Sequence, residues 1–415
     1  MEFDPLSEEF FERPFEVYRW LRDEAPAYHN ERIGFWAVSR YDDCMEVHRD
    51  VATYTSTRGL TLAQLTSADF GEVADMAASM IMMDPPMHER MRKLVSRAFT
   101  PRRIAEWEPV VERVIGGLLD SLVDAEAFDA VVDFAGPFPV EVICTIVGVP
   151  AGDRQQIRHW TDSMLELEVG NPFPTAAGIE SAIALSEYMR ALVADKRTRP
   201  ADDMVSHLIE AEVEREDGSV ERLDDGEVGR FIALLAAAGA ETVTKLVGNG
   251  VLTFAEHPDE LARLRADPTL AGSAVEEVLR WRAPSQYQGR YAVQDRTWHG
   301  VTIPAGSPML IVTGAANRDP RAYDDPDRFD IGREGPLGIS FGHGIHYCIG
   351  AHLARLEGKV AFTELYRRWP QMQVDVDAVR WVHMSNVAGP SSIPVTTDGG
   401  SSTPGRRRPP PHPPA

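Results

Sequence analysis

Residues 341–350 read Phe341-Gly342-His343-Gly344-Ile345-His346-Tyr347-Cys348-Ile349-Gly350, a cysteine set among glycines just ahead of a strongly helical stretch. The other two cysteines, Cys44 and Cys144, lie far off in plain surroundings, so Cys348 does not read as half of a disulfide. Gly342, Gly344 and Gly350 let the backbone turn sharply and approach a ligand closely. A helix beginning near Ile349 would bring the positive end of its dipole to Cys348 and favour the thiolate. Three roles fit those residues. One is a thiolate presented to something large and flat, such as a haem, where thiolate ligation favours O–O cleavage. The second is a zinc site from His343, His346, Cys348 and His352, although these four lack the usual paired ligand spacing. The third is an inert buried cysteine in a glycine turn.

Other segments carry residues of chemical interest. In Leu234-Leu235-Ala236-Ala237-Ala238-Gly239-Ala240-Glu241-Thr242-Val243-Thr244, a mid-helix glycine costs about 1 kcal/mol relative to alanine. The nearby Thr242 can bend the helix by bonding to its own backbone. The result would be a small polar notch at Glu241 and Thr242, or simply a close helix crossing at small residues. Glu277 and Arg280 are i,i+3 neighbours on one helix face, a pair that in isolation is usually an exposed ion pair worth little. His88 and Arg92, in Met83-Asp84-Pro85-Pro86-Met87-His88-Glu89-Arg90-Met91-Arg92, are spaced i,i+4 and share a face. Two such groups suit carboxylates, or form part of a surface basic helix.

Apolar rhythm predicts a helix over 8–24 and a short strand at 35–38. Residues 55–80 read as a loop or short helix. Helices dominate from 87 to 215, broken at Pro101, Pro137, Pro150 and Asn171-Pro172-Phe173-Pro174. A long helix is expected over 226–256 and a shorter one over 270–282. Strands are expected between 286 and 315, irregular chain over 317–340 and a last helix over 349–368. Alternation of strands and helices that would signal a parallel sheet is missing. Residues 1–396 read as one domain, and 397–415, rich in Pro and Arg, as a disordered tail.

The chain has 415 residues, 43% hydrophobic and 26% charged, an ordinary globular balance. A net charge of −22 argues against non-specific nucleic-acid binding. No uninterrupted apolar run long enough for a membrane span appears, and the acidic start does not read as a signal peptide. The odd cysteine count favours a reducing compartment, so a cytoplasmic location is expected. Within this acidic chain, Arg90, Arg92, Lys93, Arg97, Arg102 and Arg103 face the single acid Glu89 between residues 89 and 103. That island is a solvated face or a docking patch for an anionic partner.

The cysteine loop resembles the haem-binding signature of the cytochrome P450 family, Phe-x-x-Gly-x-[His/Arg]-x-Cys-x-Gly. Phe341, Gly344, His346, Cys348 and Gly350 fill its fixed places. Ala238-Gly239-Ala240-Glu241-Thr242 resembles the family's oxygen-binding motif, with Val243 where a second threonine often stands. Glu277 and Arg280 followed by Pro284 resemble its structural Glu-x-x-Arg pair, with Arg328 in Pro326-Asp327-Arg328-Phe329 as the matching third partner. Segment 83–92 and Arg290 resemble its propionate-binding positions. Together these cover about 10–395 in the family's order.

The resemblance implies a mainly α fold with minor β, a helix-rich triangular prism enclosing haem b, of the soluble bacterial type. Cys348 would be the iron's axial ligand. His88, Arg92, Arg290 and His346 would hold the propionates, with Phe341, Gly350 and Ala238 also against the haem. Glu241 and Thr242 would carry protons to bound oxygen, facing Cys348 across the porphyrin. The substrate would meet Ala237, Ser285, Gln286, Tyr287 and Val387 under a roof from 58–80 and 160–180, with Met76, Met80, Met82 and Met83 as an adaptable lining. The implied activity is insertion of an oxygen atom from O2 into a C–H bond of a mid-sized apolar molecule: steroid, terpenoid, macrolide or aromatic. Electrons would come from NAD(P)H through a reductase and a separate ferredoxin or flavodoxin, docking on Arg90–Arg103 with Arg355 and Lys359. A peroxide-driven peroxygenase and a gas-binding haem protein are the alternatives; neither needs the acid–alcohol pair.

Overall fold

The structure, a computed structural model, describes residues 1–67, 79–96, 99–214 and 218–397. The N-terminal segment folds as two helices, α1 (Glu8–Glu12) and α2 (Phe15–Asp23), where the apolar rhythm over 8–24 suggested one. Pro14 divides them. It donates no amide hydrogen to the preceding turn and drives the residue before it out of helical backbone; Arg13 sits at φ −141°. A hairpin, β1 (Ala27–Asn30) and β2 (Phe35–Val38), leads to α3 (Tyr41–Arg49), β3 (Tyr54–Thr55) and the short α4 (Leu62–Thr66). Met76 and Arg97 lie outside the described residues, as does most of the expected tail. The first residue assigned to that tail, Thr397, is buried and donates to the Ala125 carbonyl at 2.9 Å, so the folded domain reaches one residue further.

Helices then dominate: α5 (Met87–Ser96), α6 (Pro101–Ser121), α7 (Pro137–Val147), α8 (Arg154–Leu165), α9 (Ala176–Thr198) and α10 (Met204–Glu210), with β4 (Ala127–Asp129) between α6 and α7. Pro101 and Pro137 open helices rather than break them. At the first helical position the missing amide hydrogen has no partner to lose. A hairpin, β5 (Glu212–Glu214) and β6 (Val220–Arg222), precedes the long α11 (Asp225–Glu256), which starts at a reciprocal cap between Asp224 and Glu227. From Val243 to Phe254 every residue of α11 is buried, which places this helix in the middle of the core. Glycine lets neighbours close on it: a Cβ at Gly250 would stand 2.2 Å from the Phe362 ring. Helix α11 and residues 130–147 are long and apolar enough to span a membrane, but most of each is buried inside the protein.

Helices α12 (Pro258–Ala266) and α13 (Ala271–Trp281) lead into β7 (Gln288–Ala292), β8 (Arg296–Trp298), β9 (Val301–Ile303) and β10 (Ser307–Ile311). The main sheet runs β1-β2-β10-β7-β3; β10 is parallel to β2, and the other pairs are antiparallel. After α14 (Thr313–Ala316) the chain is irregular to the cysteine loop, and α15 (Ala351–Arg368) follows. Short strands β11 (Gln373–Val374), β12 (Arg380–Trp381), β13 (Pro390–Ser392) and β14 (Pro394–Thr396) close the fold.

Glu277 and Arg280 form a buried pair on α13, 2.7 Å apart. The third charged partner is Arg333, not Arg328: its Nε donates to Glu277 at 3.2 Å. Arg328 contributes only its carbonyl, which accepts from Arg280 at 3.0 Å, while its side chain is 61% exposed and reaches Asp330. Arg280 donates to the Pro326 and Asn317 carbonyls as well, so this pair ties α13 to the irregular segment before the cysteine loop.

Candidate active site

A cavity of about 320 Å³ lies between α11 and the cysteine loop. Cys348 lines it and is open to it, yet burial inside the protein raises its thiol pKa. The two observations agree once the open surface is read as cavity wall rather than protein exterior. The Gly350 and Ala351 amides, Arg92 and Arg355 oppose that rise and favour the thiolate. The loop has its conformation because two glycines adopt left-handed backbone, Gly342 at φ 67° and Gly344 at φ 69°. A Cβ on Gly344 would also stand 2.5 Å from the His48 carbonyl oxygen.

His88, Arg92, Arg290 and His346 reach the same cavity from α5, β7 and the cysteine loop. His88 is buried, and among the described residues neither of its ring nitrogens has a partner. Burial and the nearby cations push its pKa down to about 4. His346 meets the Ser56 hydroxyl at 3.2 Å and its ring lies 4.3 Å from that of His88. Arg92 donates to the Tyr347 carbonyl at 2.6 Å, and Arg290 to the Gly289 carbonyl at 2.7 Å. Burial brings the Arg290 pKa down to about 10. Such a set of donors, with buried nitrogens lacking any acceptor, fits a group carrying carboxylates. Phe341 and Gly350 also line the cavity, with Arg355 stacked over the Phe341 ring at 4.7 Å. Among the described residues no three His, Cys, Asp or Glu side chains could hold a metal ion together, and His352 points outward.

On α11, Ala238, Gly239 and Thr242 face the cavity. The Thr242 hydroxyl donates to the Ala238 carbonyl at 2.8 Å. Gly239 also allows a close crossing, since a Cβ there would meet Ile143 of α7 at 2.9 Å. Glu241 does not line the cavity. It turns back to an ion pair with Lys245, one helical turn on, at 2.7 Å. It also hydrogen-bonds the Asp162 carboxyl of α8, whose pKa is pushed up to about 7 by burial and then by the Glu241 charge.

The expected substrate contacts are only partly brought together. Ser285 lines the cavity; Ala237, Gln286, Tyr287 and Val387 do not. Gln286 and Tyr287 turn away from the cavity: Gln286 accepts from the Tyr18 hydroxyl and Tyr287 donates to the Ser385 carbonyl. Gln288 and Asn386 take their places, both donating to the Ser285 hydroxyl, at 2.8 and 3.2 Å. From the expected roof, Leu60 and Met80 are present, with Ile81 just beyond it. Residues from 160–180 instead contribute Met164, Pro174, Gly178 and Ile179 to a separate groove of about 600 Å³ between α8, α9 and the start of α11. His48 of α3 lines the cavity and was not anticipated. Its neighbours on α3, Cys44 and Val47, are core residues, so the sequence marks it as one more position on an apolar face.

A family model for cytochrome P450 matches residues 33–375. The chain belongs to the cytochrome P450 family. It is 43% identical over 394 residues to cytochrome P450 123 of Mycobacterium tuberculosis, covering 95% of this chain and 96% of that one. It is 39% identical over 401 residues to the vitamin D(3) 25-hydroxylase of Pseudonocardia autotrophica, covering 95% and 96%. The solved structure of the Bacillus subtilis bacillaene polyketide synthase P450 PksS superimposes with a TM-score of 0.85 at 34% identity, over 95% of this chain and 100% of that one. As a P450 the chain is a monooxygenase of haem iron, with the mainly α fold and minor β that the motifs implied.

Proposed function

We propose that this P450 inserts one oxygen atom from O2 into a C–H bond of a mid-sized, largely apolar molecule bearing a polar group. Haem b, once bound, supplies the dioxygen chemistry. Cys348 would hold its iron, and His88, Arg92, Arg290 and His346 its carboxylates. Ala238 and Gly239 leave room for a flat face, and Thr242 would hold a proton at the hydroxyl facing that space. Glu241 would relay protons only after leaving Lys245. The observation that carries this reading is the sharing of one cavity by Cys348, Thr242 and the unpartnered His88 nitrogens.

The cavity wall is apolar at Leu60, Met80 and Leu234 but carries the bonded polar edge of Ser285, Gln288 and Asn386. That edge would orient a hydroxyl or carbonyl, which favours a steroid, terpenoid or macrolide over a plain hydrocarbon. The names of the vitamin D(3) and polyketide relatives point the same way. Thr242 at the cavity speaks against a peroxygenase and against gas binding alone, neither of which needs a held proton.

The reduced carbonyl spectrum tests the reading. The wild type should give the thiolate-type band and Cys348→Ala should lose it; a variant that keeps it would overturn the assignment. Screening by the ferric spin shift should then select oxygenated polycyclic or macrocyclic compounds over alkanes of equal size.

Electrons are assigned to a separate ferredoxin or flavodoxin with its reductase, in the cytoplasm. Arg102 and Arg103 are 93% and 56% exposed, each beside Glu106 at 3.7 and 2.8 Å, and Lys359 is exposed too. Arg355 is less available, being paired with Glu276 and with the Tyr347 hydroxyl. Reversing Arg102 and Arg103 to Glu should slow reduction by an acidic partner and flatten its salt dependence. Unchanged kinetics would remove these arginines from the docking face.

A further inference from the structure

His48 sits in the last turn of α3, 2% exposed, with neither ring nitrogen bonded to any of the described residues. A neutral imidazole carries one N–H whichever tautomer it adopts, and buried donors nearly always have a partner. The described residues offer this ring none. The charged and titratable neighbours that act on it are Arg290 and His343, which are donors or cations. The one carboxylate acting on Arg290 is Asp84, and it already accepts from the Thr55 hydroxyl at 2.5 Å and the Ser56 amide at 3.1 Å. His48 nevertheless lines the cavity beside Arg290, His88 and His346. It is held there firmly. Its carbonyl lies against Gly344 and its Cε1 against Gly342, so the cysteine loop fixes the ring's position.

We propose that His48 is a haem-carboxylate residue, donating its ring N–H to a propionate alongside His88, Arg92, Arg290 and His346. The proposal rests on the haem reading of the Cys348 cavity. Burial, then Arg290 and His343, bring the His48 pKa down to about 3, so the ring acts as a neutral donor at physiological pH. A neutral amide donor should therefore replace it, and an apolar side chain of similar size should not.

The test is the rate of haem loss from purified holoprotein to excess apomyoglobin. Wild type, His48→Gln and His48→Leu are each loaded with haem or with its dimethyl ester. With haem, His48→Leu should lose the cofactor roughly tenfold faster, the low end for a hydrogen bond to a charged acceptor, and His48→Gln should stay near wild type. With the diester the difference should shrink several-fold, because a neutral ester carbonyl is a weaker acceptor than a carboxylate. Equal acceleration with both cofactors, or no acceleration with haem, would overturn the proposal by making His48 a packing residue. Should the diester fail to load, infrared spectra of holoprotein with carboxylate-labelled haem decide. A carboxylate band that moves between wild type and His48→Leu supports the bond, and unmoved bands refute it. A wild type lacking the thiolate-type carbonyl band would sink the haem reading as a whole. That band present with unaltered haem loss sinks His48 alone.

Discussion

Two buried glutamate–cation pairs in this molecule have nearly the same contact and different surroundings. Glu277 and Arg280 lie 2.7 Å apart at 3% and 2% exposure. Glu241 and Lys245 lie 2.7 Å apart at 6% and 3%. The first is saturated: Glu277 also accepts from the Asp330 amide and from Arg333, and Arg280 donates to the Asn317, Pro326 and Arg328 carbonyls. The second is open. Among the described residues, Lys245 reaches beyond Glu241 only to the Pro390 carbonyl, at 3.1 Å, and Glu241 faces a second acid, Asp162. Asp162 in turn meets Arg158 at 3.5 Å with 39% of its side chain exposed. A pair whose donors and acceptors are all met can only hold structure. A pair abutting another carboxyl that reaches solvent can exchange a proton.

The largest test of this contrast is Glu277→Ala. Leaving Arg280 buried without its carboxylate should cost about 3–5 kcal/mol, read as a lowered denaturation midpoint and a poor yield of haem-loaded protein. A loss below about 1 kcal/mol would break the comparison.

Asp162→Asn tests the open pair through pH. Because the folded pKa of Asp162 is raised from 3.8 to about 7, the folded state holds a proton that the unfolded state releases between those values. Its stabilising contribution is therefore full below pH about 4 and lost as pH rises through about 7. The wild-type melting temperature should fall between pH 5.5 and 8 more than that of Asp162→Asn. Equal slopes would mean that the carboxyl pair does not share a proton.

Arg328→Ala should have the smallest effect, within about 0.5 kcal/mol, because only the residue's backbone serves Arg280. Arg333→Ala, by contrast, should be clearly destabilising. The reverse ranking would restore Arg328 as the third partner.

The cysteine loop was legible because its glycines, histidine and cysteine act within ten consecutive residues, and local backbone geometry fixes their relation. The pairs Glu277–Arg280 and His88–Arg92 were legible for the same reason, each within one turn of a helix. Arg333 was hidden because residues 317–340 are irregular, and without periodicity nothing indicates which arginine turns inward. Gln286 and Tyr287 were misplaced because their hydrogen-bond partners, Tyr18 and the Ser385 carbonyl, lie far along the chain, and those contacts turn both side chains from the cavity.

The sequence by itself determined the family, the thiolate chemistry and the helical frame, because motifs and periodicity are properties of neighbours along the chain. Tertiary structure decided which groups meet across it. His48, on helix α3, joins Arg290 of β7 and His346 of the cysteine loop. Glu241 is drawn from the cavity toward Asp162 of α8. Ser285 meets Gln288 and Asn386 at the cavity wall. Burial, unmet hydrogen bonds and the field of distant charges act through space, and no spacing along the chain encodes them.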